Sequence, residues 1–359
     1  MSRIPANLLA RPAEEAVRRL ALLQLERASE ARQHLVDGDR DEALHDFRVA
    51  LRRLRSLLRS HRSAFSVEFP KKALRRFAAL ARDTNPGRDA EVQLAWLTTF
   101  GDELKPGERA GHRALMRDLA QRRDESYRKV EREIVSDFAK LCDDLRARLA
   151  TYRVAVDLDR PAQVSSFAAA TREALARDTG ELFEKLDGIE TVADETQGHA
   201  ARIAAKRLRY LAEPVSPWID AARRPVELLK ALQDLLGELH DGQLLAAHVG
   251  QSLAEIESKH AQRLIEATLG GPRPPDQPAP PSRRPERSGL IAVARTLGAR
   301  RQELFGSLSQ NWLGESAPDR LNLVAALAEL DHGLTAPPSR RQPTASATVR
   351  KPRAPKRTR

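Results

Sequence analysis

Little in this chain can staple, stack or span. It has one cysteine, Cys142, so no intrachain disulfide is possible and a reducing compartment suits it. Cys142 sits in a helical pattern and reads as a small core residue. Phe, Trp and Tyr together make up only 4% of the chain, too few for the aromatic platforms on which single-stranded nucleic acids stack. No apolar run is long enough for a signal peptide or a membrane span, so a soluble cytoplasmic protein is expected. Strand-like alternation of apolar and polar residues is also missing. The one Val-rich stretch, 152–158, is short and runs towards Pro161, so it reads as a connection.

What is abundant favours helix. Ala, Leu and Arg dominate the 359 residues, and all three are good helix formers. The fold class read from the sequence is all-α. The formal charge is +11, from 61 Lys and Arg against 50 Asp and Glu. Eight of the basic residues lie in 335–359, which contains no acid. The rest of the chain is therefore nearly balanced, at 53 against 50. A positive field over the body has to come from segregation of charge. Only 11 of the basic residues are Lys and 50 are Arg, the side chain whose forked donors match phosphate oxygens.

Segregation is visible in a repeat. The segment His45-Asp46-Phe47-Arg48-Val49-Ala50-Leu51-Arg52-Arg53-Leu54-Arg55 has a counterpart 154 positions later, His199-Ala200-Ala201-Arg202-Ile203-Ala204-Ala205-Lys206-Arg207-Leu208-Arg209. The histidine, the basic residues at +3, +7, +8 and +10, and the leucine at +9 keep their places, which points to two related halves. At about 100° per residue, Arg48, Arg52, Arg55 and Arg59 share the side of the helix that carries His45, while Phe47, Leu51, Leu54 and Leu58 lie opposite. His199, Arg202, Lys206 and Arg209 form the second stripe, and Arg53 and Arg207 lie at the flanks. Soluble helices usually interleave Glu with Lys or Arg. Here Asp46 is the only acid between His45 and Arg62, and there is none between His199 and Tyr210. Stripes of like charge repel themselves, and a bound polyanion would relieve that repulsion.

The remaining helices are read from periodicity, proline and glycine. They are expected over about 12–36, 40–62, 70–83, 88–99, 108–150, 165–186, 196–213, 225–236, 240–269 and 288–310. An interruption is expected near Ser136, and Thr84-Asn85-Pro86-Gly87 is expected to be a turn. The Pro-rich segment 271–287 reads as an extended connection and 335–359 as a disordered basic tail. A second matched pair supports the duplication. Arg88-Asp89 and His240-Asp241 follow their repeat histidines at similar spacing, and Arg76 and Lys230 precede them at roughly corresponding places.

These residues resemble the CHAD family, the conserved histidine α-helical domain. The resemblance rests on the two His-x-x-Arg-x-x-x-(Arg/Lys)-Arg-Leu-Arg segments and on the Leu-Gly-Glu-Leu-His-Asp stretch ending at Asp241. It spans roughly 8–314, with halves of about 8–150 and 160–314. It implies two pseudo-symmetric helical bundles around a basic central channel, and binding of inorganic polyphosphate. The positions that would bind are His45, Arg48, Arg52, Arg53, Arg55 and Arg59, with His199, Arg202, Lys206, Arg207 and Arg209, and Arg76 and Lys230 as additions. Polyphosphate granules are the cytoplasmic location that the family suggests. The sequence departs from the family's pattern in two extra residues around Asn85-Pro86-Gly87-Arg88 and in a long 271–287 insertion. The Glu-x-Glu-x-Lys motif of the triphosphate-tunnel domain that some members carry is not found.

Competing chemistries are poorly served by these residues. There is no phosphate loop, nucleophile elbow or Cys-His metal spacing, so no catalytic residue, metal or cofactor is assigned. His45 and His199 are expected to donate to phosphate, with a structural role at the helix start as the alternative. Asp89 and Asp241 read as helix caps rather than metal ligands. The second functional reading is non-specific nucleic-acid binding through the stripes and the tail.

Overall fold

The computed structural model describes residues 8–37, 40–65, 71–101, 104–150, 165–269 and 285–335. Among these there is no strand, only an isolated bridge between Pro12 and Ser166, and ten α-helices. They are α1 (Ala13–Val36), α2 (Arg40–Ser60), α3 (Lys71–Asp83), α4 (Asn85–Phe100), α5 (Arg109–Ala150), α6 (Phe167–Asp187), α7 (Glu195–Ala212), α8 (Arg223–Leu269), α9 (Pro285–Trp312) and α10 (Pro318–Thr335). The all-α reading holds, and no described helix is long and apolar enough to cross a membrane.

Local chemistry sets most of the ends. The Ser166 hydroxyl accepts from the Ala169 amide at 3.2 Å and caps α6. Pro214 lies two residues beyond the end of α7 at Ala212, where it cannot continue the helix. Arg18 of α1 is buried and donates to the carbonyls of Arg148 and Leu149 at 2.7 and 3.3 Å. It thereby satisfies the last turn of α5, where carbonyls lack intrahelical partners. Its charge is held by Glu14 at 2.6 Å.

Four expectations need correction. Thr84-Asn85-Pro86-Gly87 is not a loop: only Thr84 leaves the helix, and Pro86 occupies the first turn of α4, where its missing amide costs nothing. Gly87 is required there, because a Cβ would run into the ring of Tyr127. Ser136 does not interrupt α5, and the expected break between 236 and 240 is absent, since α8 runs unbroken for 47 residues. Helix α10 was missed altogether. Its Leu and Ala residues are spread around its circumference and give a weak periodic signal, yet Leu323, Ala326, Leu330 and Leu334 are buried. It is docked by Arg320 on Asp187 and by Arg172 on Asp331 at 2.7 Å. The readings for Pro70, 152–158, 271–284 and 336–359 lie outside the described residues.

Two apolar cores form. The larger takes buried residues from α1, α2, α3, α6, α7, α10, the start of α8 and the ends of α5 and α9. The smaller is built by α4, the first part of α5, the middle of α8 and the first part of α9. Both draw on both halves of the sequence. Cys142 is buried in the larger core with the Ser29 hydroxyl 3.4 Å from its Sγ. On these cores α2 packs against α7, which brings the repeated segments together.

Candidate functional site

The apolar sides of the two basic helices are buried as the helical arithmetic requires. Phe47, Leu51, Leu54 and Leu58 of α2 and Ala201, Ala205 and Leu208 of α7 have almost no exposure. Arg48, Arg52, Arg202, Lys206 and Arg209 are left half-buried on the other side. Arg52 faces Arg202, Arg209 and Tyr210 across the helix pair. Lys206 faces Arg202, Arg52 and Arg209. Burial and these like charges bring the Lys206 ammonium down to about 7. Burial, with Arg52 beside it, lowers Arg48 to about 10. Clustered cations in partial burial raise each other's cost, a cost that an anion placed among them would lower.

The two +3 arginines are held in related ways. Arg48 donates to the Thr84 carbonyl and, at 3.1 Å, to Oδ1 of Asn85. Arg202 lies on α8 at Gly237, where a Cβ would be 3.5 Å from its Nε. Each arginine thus meets the next long helix about one turn before the matched aspartate, Asp89 or Asp241. The Nε atoms of Arg202 and Arg209 and the Nδ1 atoms of His199 and His240 are buried, with no hydrogen-bond partner among the described residues. Donors left open in a half-buried site cost stability unless a ligand meets them.

Not every stripe residue is open. Glu213 takes Arg53 and Arg209, both at 3.0 Å, and so ties α2 to α7. Arg207 pairs with Glu181 at 2.6 Å. Neither stripe carries these carboxylates in its own run of sequence: they come from the end of α7 and from α6. Arg48, Arg52, Arg202 and Lys206 make no ion pair among the described residues. Burial, then the nearby Arg82 and Arg59, lower the pKa of Arg55, and these three extend the row towards α3. His45, Arg59, Arg76 and Lys230 are exposed. His199 instead packs on His240, ring centroids 4.5 Å apart. Burial, then His199 and Arg202, bring His240 down to about 4.

The capping role expected of Asp89 and Asp241 is overturned. Asp241 lies in the middle of α8 and Asp89 beyond the first turn of α4, so neither can cap. Both turn towards the cluster. Asp89 faces Arg48, Arg202 and Arg88, and Asp241 faces Arg202, Arg88 and Lys206. Arg88, Asp89, His240 and Asp241 are the site residues that the sequence reading left out. Their signal was the second matched segment, in which the two aspartates read as caps.

The CHAD domain model matches residues 19–250, more than half of the chain. The chain belongs to the CHAD domain family. No curated protein matches its sequence. Among solved structures, this CHAD domain is similar to the crystal structure of the CHAD domain from the plant Ricinus communis, at 20% identity and a TM-score of 0.57, over 92% of this chain and 96% of that one. It is also similar to PptA from Streptomyces chartreusis, at 15% identity and a TM-score of 0.58, over 89% of this chain and all of that one. At such identities the two structures bear on the fold of this CHAD domain, while its site rests on its own residues.

Proposed function

We propose that this protein binds inorganic polyphosphate without turning it over. The observation that carries the reading is the meeting of Arg48 and Arg52 from α2 with Arg202, Lys206 and Arg209 from α7, half-buried, with the Nε donors of Arg202 and Arg209 unpartnered among the described residues. Polyphosphate has about one charge per unit, no bases and no apolar surface. A receptor for it needs closely spaced forked donors and little else. Partial burial strengthens each contact over what an open surface gives. Membership of the CHAD family favours the same ligand and a place on polyphosphate granules.

The test is retention of labelled long-chain polyphosphate across a salt series. The logarithm of the affinity should fall linearly with the logarithm of salt concentration, as for other polyanions. Replacing Arg52 and Arg202 together by Glu should lower affinity at least about a hundredfold, because a repulsive charge replaces an attractive one at two central contacts. Helicity by circular dichroism should be kept. A double variant that still binds like the parent overturns the proposal. Duplex DNA of matched charge should fail to displace polyphosphate, and removal of residues 336–359 should cost only a few-fold in affinity. Displacement by DNA would transfer the function to nucleic acid.

A further inference from the structure

We propose that Asp89 and Asp241 are resident counterions of the cationic cluster, which a phosphate chain has to displace, and that they set the shortest chain the site retains. This rests on the polyphosphate reading above and adds what limits it.

The two carboxylates occupy matched places. Each follows, by about one turn, the point where a +3 arginine meets its helix, Arg48 at Thr84 and Arg202 at Gly237. Each is half-buried. The groups around them are Arg48 from α2, Arg88 from α4, Arg202 and Lys206 from α7, Glu238 from α8, and each other. Neither closes an ion pair among the described residues; Arg88 is held by Glu91 at 2.8 Å, while Arg48, Arg202 and Lys206 make none there. Burial pushes both carboxyls up, Asp241 adds to the rise at Asp89, and the arginines pull both down. Two carboxylates at a distance from their arginines offset the repulsion among the cations, and they repel any phosphate that enters the cluster.

That repulsion is a nearly fixed penalty. Orthophosphate or tripolyphosphate, seated only in the cluster, has few contacts to set against it. A long chain also reaches the row of Arg55, Arg59 and Arg82, away from the two acids, and the additional contacts multiply its affinity. The same penalty therefore takes short ions below a usable affinity and leaves long chains bound but exchangeable.

The experiment is titration calorimetry of the full chain and of Asp89→Asn/Asp241→Asn at one pH and salt, with orthophosphate, tripolyphosphate and long-chain polyphosphate as ligands. The double variant should bind tripolyphosphate and long chains about tenfold more tightly, the scale expected for removing close like charges from a partly buried site. It should also bring orthophosphate into measurable range. The remote control Glu173→Gln/Glu255→Gln, two exposed acids, should change affinity less than about twofold, as exposed charges are screened. Unchanged or weaker binding by the Asp variant, or equal tightening by the control, overturns the counterion role. Failure of the unmodified protein to hold long chains overturns the polyphosphate reading and this inference with it. Should the double variant unfold, the single variants carry the same comparison, each expected to tighten binding about threefold.

Discussion

Lys206 is where the cationic cluster meets physiological pH. Burial and the guanidinium groups of Arg202, Arg52 and Arg209 bring it down from 10.5 to about 7. Its folded pKa lies below its unfolded one, so the stability tied to its neutral form is full above pH 10.5 and is lost as pH falls through 7. Binding runs the other way, since the ammonium gains its proton over the same step. Polyphosphate affinity should therefore rise between pH 8 and 6, and Lys206→Gln should flatten that rise, as read by calorimetry at matched salt. His61 gives the acid limit. It is buried between α2 and α6, stacks on Phe167, and shares hydrogen bonds with the Leu57 carbonyl and the Thr171 hydroxyl. Burial takes it from 6.5 to about 4. Its contribution is full above pH 6.5 and disappears as pH falls through 4. His61→Gln should move the acid unfolding midpoint, followed by circular dichroism, to lower pH. The central cations were legible from helical spacing alone. Glu181 and Glu213 were not, because spacing along one helix says nothing about which charges arrive from another.

At the scale of elements, helices were legible and their interruptions were not. The expected gap between 236 and 240 contains Gly237, whose lack of a side chain instead admits Arg202 to the surface of an unbroken α8. Pro86 was read as a turn and turned out to start α4. At Gly237 a local propensity worth about 1 kcal/mol gave way to packing; at Pro86 nothing opposed the helix, because the first turn needs no amide there. The sharpest packing constraint lies where α5 crosses α9. A Cβ on Gly111 would strike the backbone carbonyl of Glu286, and one on Gly289 the carbonyl of Glu108. Backbone atoms cannot swing aside as a side chain can, so Gly289→Ala has to separate the helices. The expected cost is about 1–3 kcal/mol, read as a lower denaturant midpoint at unchanged slope.

At the scale of the molecule, the matched segments of the sequence told which helices would carry the site, and α2 and α7 do meet. They did not tell how the cores divide, because helices α5, α8 and α9 each run through both of them. A core that shares three helices with its neighbour has no separate boundary along which to melt. Trp96 packs against the smaller core and Trp312 is buried in the larger. Single-tryptophan variants that keep one or the other should therefore report the same thermal midpoint. Two midpoints would mean that the cores unfold independently.

Helix α8 is the longest of these shared helices, about 70 Å end to end at 1.5 Å per residue. It leaves the smaller core after Ile256, and residues 261–269 are exposed throughout. Neither core nor cation cluster draws a contact from that last stretch. It is a natural handle: a dye, an affinity tag or an inserted domain joined at Leu269 would ride outside the body and leave the rows of arginine untouched.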